Sequence, residues 1–278
     1  MKKSILSVCL FIVILSVSGS SHALDFIKFG TGHDQDFWGT PNVAFPDFPS
    51  TVQYLAVRGK NQLTSLELTD QNVQDAFNGD FGSFEAVVIS ESIEEISPES
   101  YDLFRQFVNG GGCLILTGDH GQGEDEFLNN TFGYNVGVVT TSSDPADTFS
   151  IQRTAEGTAF PGGPGSLAFA DLTTAFGNTP GTVIYNGALG VGVFTDTFGA
   201  GVVSAIGWDY CCAEGGNTEQ QILDWYEVAN RAFDQCTGEV GSFSRPIPTL
   251  SEWGLIAMAG ILGIFGLFAA LRRRKVAA

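Results

Sequence analysis

Short apolar runs separated by polar, glycine-bearing stretches recur through the middle of this chain. Leu24–Phe29 reads as a first strand, closing on Gly30-Thr31-Gly32, and Val52–Val57 reads as a second. Ala86–Ser90 (AVVIS) and Cys113–Leu116 (CLIL) are apolar without alternation, the pattern of strands buried on both faces of a parallel sheet. Between them Ser97 can cap a helix that has Pro98 in its first turn. Leu103, Phe104, Phe107 and Val108 give that helix an apolar face, and Gly110-Gly111-Gly112 ends it. Strand, helix and strand with short joins make a right-handed βαβ unit. The stretch from Asn135 to Phe198 is less regular, with short strands at Thr182–Tyr185 and Val191–Thr195 among glycine loops. Gly201–Gly207 is a last buried strand, followed by Trp208-Asp209-Tyr210. Thr218–Phe233 then reads as an amphipathic helix with Ile222, Trp225, Tyr226, Ala229 and Phe233 on one face. Together these elements predict an α/β domain over residues 24–236, a parallel sheet in a three-layer arrangement.

The two ends are apolar in a different way. Lys2 and Lys3 precede the run Ile5–Val17, and Ser21-His22-Ala23 is a small-x-small cleavage site. That is a secretory signal peptide over residues 1–23, so the Sec translocon and signal peptidase are expected partners and Leu24 the mature N-terminus. At the other end no charge interrupts Trp253–Leu271. These 19 residues cover about 28 Å as a helix, the thickness of a bilayer core. Trp253 suits the interface, and Arg272, Arg273, Arg274 and Lys275 are expected to stay cytoplasmic. The ends therefore predict a single-pass inner-membrane protein with residues 24 to about 250 outside the cytoplasm.

The residues preceding the apolar run add a motif. Ile247-Pro248-Thr249-Leu250-Ser251-Glu252-Trp253-Gly254, then the apolar stretch and the basic tail, closely resemble the IPTL-CTERM sorting signal. The resemblance covers residues 247–278 and implies processing by an exosortase-type membrane transpeptidase that passes the protein on to the cell surface or extracellular matrix. Pro246 and Pro248 favour an extended backbone there, which suits a protease cleft. Thr237–Pro246, rich in Gly, Ser and Pro, reads as the linker between domain and signal.

Charge narrows the partners. All 31 acidic residues lie between the two apolar ends, against seven of the 13 basic ones, a formal charge of −24. Such a surface argues against nucleic acid and against anionic lipid, while permitting divalent cations and favouring solubility. Cys113, Cys211, Cys212 and Cys236 remain after signal cleavage, an even number without CxxC spacing in an oxidising compartment. Cys113 opens a strand and so sits at the amino edge of the sheet, whereas Cys211 and Cys212 follow the carboxyl end of the last strand. The final helix runs back about 24 Å and delivers Cys236 to the amino edge. A disulfide needs Cα atoms within about 7 Å, so Cys113–Cys236 is the expected pair. Cys211 and Cys212 are left as adjacent thiols or a strained vicinal bridge. The competing reading takes all four as small buried apolar residues.

Glu85 to Gly121 (EAVVIS…ISPESYDLFRQFVNGGGCLILTGDHG) and the closing GVVSAIGWDY with its helix resemble the class I glutamine amidotransferase-like superfamily, including trehalose-utilisation-type proteins. The resemblance implies a flavodoxin-like or amidotransferase-like fold. It also implies a cysteine nucleophile at the turn Thr117-Gly118-Asp119-His120-Gly121, which has none, so glutaminase chemistry is not expected. Gly118-Asp119-His120 matches the Gly-x-His that trehalose-utilisation-type proteins have near this turn. Ligands of open parallel sheets bind beyond the carboxyl ends of the strands. The residues following those ends are Gly32-His33-Asp34-Gln35-Asp36, Asp119-His120 with Glu124-Asp125-Glu126, and Asp209. The mature chain has only two histidines, and each stands beside an aspartate at such an end. Imidazole with carboxylate suits a divalent metal or general acid–base work; ordinary turn-capping polar residues are the plainer reading. Candidate site residues are thus His33, Asp34, Asp119, His120 and Asp209. Two functions stay open: a non-enzymatic surface or matrix protein on an amidotransferase-like scaffold, or a hydrolase-like or sugar-related enzyme with these side chains at its centre.

Overall fold

The computed structural model describes residues 24–30, 60–90, 93, 95–118, 123–142, 149–169, 173–208 and 218–236. The chain divides into two compact units, Met1–Thr237 and Gly238–Ala278, and all described residues belong to the first. The expected strand at Val52–Val57, the expected signal peptide and the Trp253–Leu271 segment lie outside them. No helix of the described residues is long and apolar enough to cross a membrane.

Five strands run parallel. β1 (Leu24–Phe29), β2 (Lys60–Leu66), β3 (Ala86–Ile89), β4 (Cys113–Thr117) and β11 (Gly201–Ile206) pair in the order β2-β1-β3-β4-β11. Every residue of β3 and β4 is buried, because helices cover both faces. α1 (Asp70–Asn78), α2 (Pro98–Asn109) and α3 (Glu124–Phe132) pack on one face, where Ile27, Phe29, Val87, Ile89, Leu114 and Leu116 point. α4 (Glu219–Cys236) packs on the other, over Phe26, Ala86, Val88, Cys113 and Ile115. This is the expected three-layer arrangement for the parallel part.

α2 begins and ends for local reasons. The Ser97 hydroxyl accepts from the Ser100 amide at 3.3 Å, and Pro98 occupies the first turn, where an amide hydrogen would have no helical partner. Gly111 then turns the chain at φ +107°, a region that favours glycine, and the Gly112 amide donates to the Phe107 carbonyl at 2.9 Å. The helix buries Phe104 among Phe29, Phe77 and Phe127, with ring centroids 5.4, 5.2 and 5.4 Å away and every pair edge-on. Each such pair adds about 0.5–1.5 kcal/mol beyond the burial of its area.

The sheet is not parallel throughout, which corrects the expectation. Beyond β11 it continues antiparallel through β10 (Gly190–Phe198) and β9 (Thr182–Gly187), then β6 (Phe149–Arg153) and β7 (Ser166–Phe169). β8 (Thr173–Gly177) also pairs with β10, and β5 (Gly137–Ser142) with β8. Short connections cause this where β9, β10 and β11 follow one another. Ala188-Leu189 alone joins β9 to β10, and Gly199-Ala200 joins β10 to β11, joins that permit only hairpins. The strand beside β1 is Lys60–Leu66 (KNQLTSL), whose polar composition hid it.

The structure joins Cys113 to Cys236 in a disulfide with Cα atoms 5.4 Å apart, closing a loop over a sequence separation of 123. Both cysteines are buried. Replacing both by alanine (C113A/C236A) is expected to cost about 2–5 kcal/mol of stability, read as a lower urea midpoint of the exported chain under non-reducing conditions.

Candidate functional site

The order β2-β1-β3-β4-β11 reverses direction between β1 and β3, the kind of position where open α/β sheets form a crevice beyond their carboxyl ends. The sequence-predicted residues His33, Asp34, Asp119, His120 and Asp209 all lie outside the described residues, as do Gln35 and Asp36. What the structure places is the strand ends from which they continue. β4 and β11 are neighbours, with Thr117 beside Ile206, and the Gly118 amide donates to the Trp208 carbonyl at 3.1 Å. β1 is separated from β4 by β3 alone, about 10 Å across two strand spacings.

The described part of this edge contains polar groups that the sequence reading passed over. Lys28, Ser90 and Thr117 are fully or almost fully buried near the carboxyl ends of β1, β3 and β4. Strand alternation puts them on the α4 face, one step beyond Val88 and Ile115. A buried lysine in an apolar strand is costly unless it is partnered, which makes Lys28 (LDFIKF) the one readable signal that the reading missed. Glu124 belongs to the acidic group Glu124-Asp125-Glu126 that follows the end of β4. It is the first residue of α3, fully buried, and its Oε1 accepts from the Thr174 hydroxyl at 2.8 Å. A carboxylate at a helix N-terminus is favoured by the exposed amide dipoles. Thr174 comes from β8, in the irregular half, so only tertiary structure brings it to Glu124.

Close packing fixes this edge. A Cβ on Gly207 would stand 2.0 Å from the Thr174 carbonyl oxygen, so only glycine fits there. The Thr174 amide donates to the Gly207 carbonyl at 2.6 Å. Trp208 stacks on Trp225 of α4 at 5.6 Å and meets Tyr226 edge-on. The N-termini of α1 and α2 are tied by Asp70, which accepts from the Ser97 amide at 2.8 Å and the Ser100 hydroxyl at 2.5 Å. Those hydrogen bonds, the Ser100 hydroxyl foremost, hold the Asp70 carboxyl below its ordinary pKa. Away from this edge, burial pushes the Tyr185 phenol up to about 12, so it stays protonated while donating to the Pro164 carbonyl at 2.7 Å.

A cavity of about 450 Å³ opens beside the first turns of α2. Glu95, Glu99 and Asp102 line it, with Arg105 paired to Asp102 and Tyr101 and Asn130 at its walls. Among the described residues no group of three or more His, Cys, Asp or Glu side chains is arranged to hold a metal. The histidine–aspartate pairs expected from the sequence to suit a metal lie outside them.

Comparison with known proteins supports one end of the chain most clearly. Residues 245–274 match the family model described as the IPTL-CTERM motif, so the chain carries this C-terminal sorting-signal motif. No curated protein matches the chain. Among solved structures, one cytoplasmic protein from Salmonella typhimurium LT2 has a TM-score of 0.46 at 13% identity, over 74% of this chain and 98% of that one. A second cytoplasmic protein from Salmonella typhimurium gives 0.48 at 8% identity, over 74% and 97%. The β-galactosidase from Rahnella sp. R3 gives 0.48 at 13% identity, over 82% of this chain and 33% of that one. At these identities and scores the likenesses carry no argument about activity, and they do not support the amidotransferase-like resemblance.

Two measurements check this account of the edge. Thr174→Val removes the hydroxyl that serves buried Glu124 and is expected to cost about 1–3 kcal/mol in urea unfolding at pH 7. Asp70 has a lowered folded-state pKa, so its contribution is present above the unfolded-state pKa and lost as pH falls through the folded one. Below pH 4 the stability of the wild type should therefore fall more steeply than that of Asp70→Asn, in unfolding midpoints taken from pH 6 to pH 2.

Proposed function

We propose that this chain is an exported envelope protein whose C-terminal segment is a sorting signal for an exosortase-type enzyme. On this reading its α/β domain is displayed outside the cytoplasm as a non-enzymatic surface or matrix component. The observation that carries the proposal is the motif match at residues 245–274. A chain opening with a signal-peptide pattern and carrying formal charge −24 between its ends suits that destination. Trp253–Leu271 holds the motif at the membrane as a single span, and the Thr237–Pro246 linker gives the processing enzyme access to Ile247–Gly254. Replacing Pro248 and Thr249 by alanine should leave export intact and block C-terminal trimming, seen as an untrimmed band in the envelope fraction. Trimming and release like wild type would sink the proposal.

A second reading keeps an active centre at the carboxyl edge. It assigns His33, Asp34, Asp119, His120 and Asp209 to a hydrolase-like or sugar-related site holding a divalent metal. The proximity of the β1, β4 and β11 ends and the buried Lys28, Ser90, Thr117 and Glu124 beneath them favour it. The scaffold is read as amidotransferase-like but degenerate, since the turn after β4 has no nucleophilic cysteine. Elemental analysis of the purified exported chain separates the readings. A site predicts close to one divalent metal per chain, lost in His33→Ala/His120→Ala, whereas the scaffold predicts no retained metal in either protein.

A further inference from the structure

The last turn of α4 is fastened to the domain at three successive residues. Asp234 pairs with Lys60 at the start of β2, with Nζ and Oδ1 3.4 Å apart. Gln235 accepts from the Thr195 hydroxyl of β10 at 2.9 Å and donates to the Ala159 carbonyl at 3.1 Å. Cys236 is bonded to Cys113 of β4. Within that turn Phe233 also packs on Phe26 of β1, with ring centroids 5.0 Å apart. Four strands are therefore gripped by the final four residues of the helix, at the point where the chain leaves for its linker and sorting motif.

We propose that this turn is a mechanical clasp that keeps load on the C-terminal tether from peeling α4 off the sheet. The inference rests on the reading that the domain is held by its C-terminal end. A force on the linker reaches Cys236 first. Without the disulfide it would bear on the noncovalent contacts of α4 alone and pull the helix off the sheet. With it, the force passes through the sulfur bridge into β4. That strand is buried, and parallel ladders with β3 and β11 hold it on either side. α4 is then outside the load path, and Trp225, Tyr226 and Phe233 stay on the core.

The test is to stretch single molecules of the exported full chain in detergent, by handles at the two termini, for wild type and C113A/C236A. In the variant α4 should detach first, in a step of 18 residues, about 60 Å of contour, at a lower force than the wild type's first rupture. The wild type should show no such step, and residues between the cysteines should extend only after reduction, adding about 400 Å. If C113A/C236A does not fold, wild-type molecules reduced under low load supply the same comparison. First ruptures of equal force and length with and without the bridge would overturn the clasp, as would exported wild type with both thiols free. C-terminal trimming is read separately by gel, so failure of the sorting proposal and failure of the clasp give different results.

Discussion

The parallel strands β3 and β4 are buried on both faces and almost wholly apolar, and this obliges the chain to cover the sheet twice. A strand such as AVVI has no polar side to turn to water, so each face left bare would cost about 25 cal/mol for every Å² of apolar surface. Three helices share the work on one face. On the other, α4 is the single long helix among the described residues, assisted by Ile151, Phe160 and Leu167 from the antiparallel half. The integrity of that face depends on holding one helix down, and a covalent bond does so where the helix ends.

The same economy explains the mixed sheet. A purely parallel extension beyond β11 would need another covering helix for each added strand. Two-residue hairpin joins instead let β9 and β10 continue the sheet, and β6, β7 and the Phe160 turn fold against α4. Arg153 holds that turn by donating to the Gly157, Phe160 and Gly163 carbonyls. The antiparallel half thereby becomes part of the core and also delivers Thr174 to the carboxyl edge.

Polar groups at that edge sit where the covering layers meet. Lys28, Ser90, Thr117 and Glu124 are buried at the ends of elements whose interiors are apolar. Such groups persist only with partners, and Glu124 takes one of its own from a strand fifty residues away. The edge thus gathers buried polar groups, and it is the edge beyond which open α/β sheets bind their ligands. This combination gives the second functional reading its physical basis.

Sequence alone determined whatever depends on local pattern. The unbroken apolar runs identified β3 and β4 as doubly buried and Gly201–Gly207 as a last buried strand, and Ser97, Pro98 and the glycine triplet set the ends of α2. The C-terminal motif was equally plain, because a sorting signal is read as a linear segment. The Cys113–Cys236 pair followed too, since strand polarity and helix length put both residues at one edge. Tertiary structure decided what depends on partners distant in the chain. β2 has no apolar run to announce it, because an edge strand with one ladder can be polar. The antiparallel direction of β9 and β10 came from two-residue joins too short for crossovers, in a stretch where glycine blurs the strand period. Glu124 was disguised by the acidic residues beside it. Burial of its carboxylate and the hydroxyl that Thr174 brings to it are properties of two segments meeting, and no local pattern carries them.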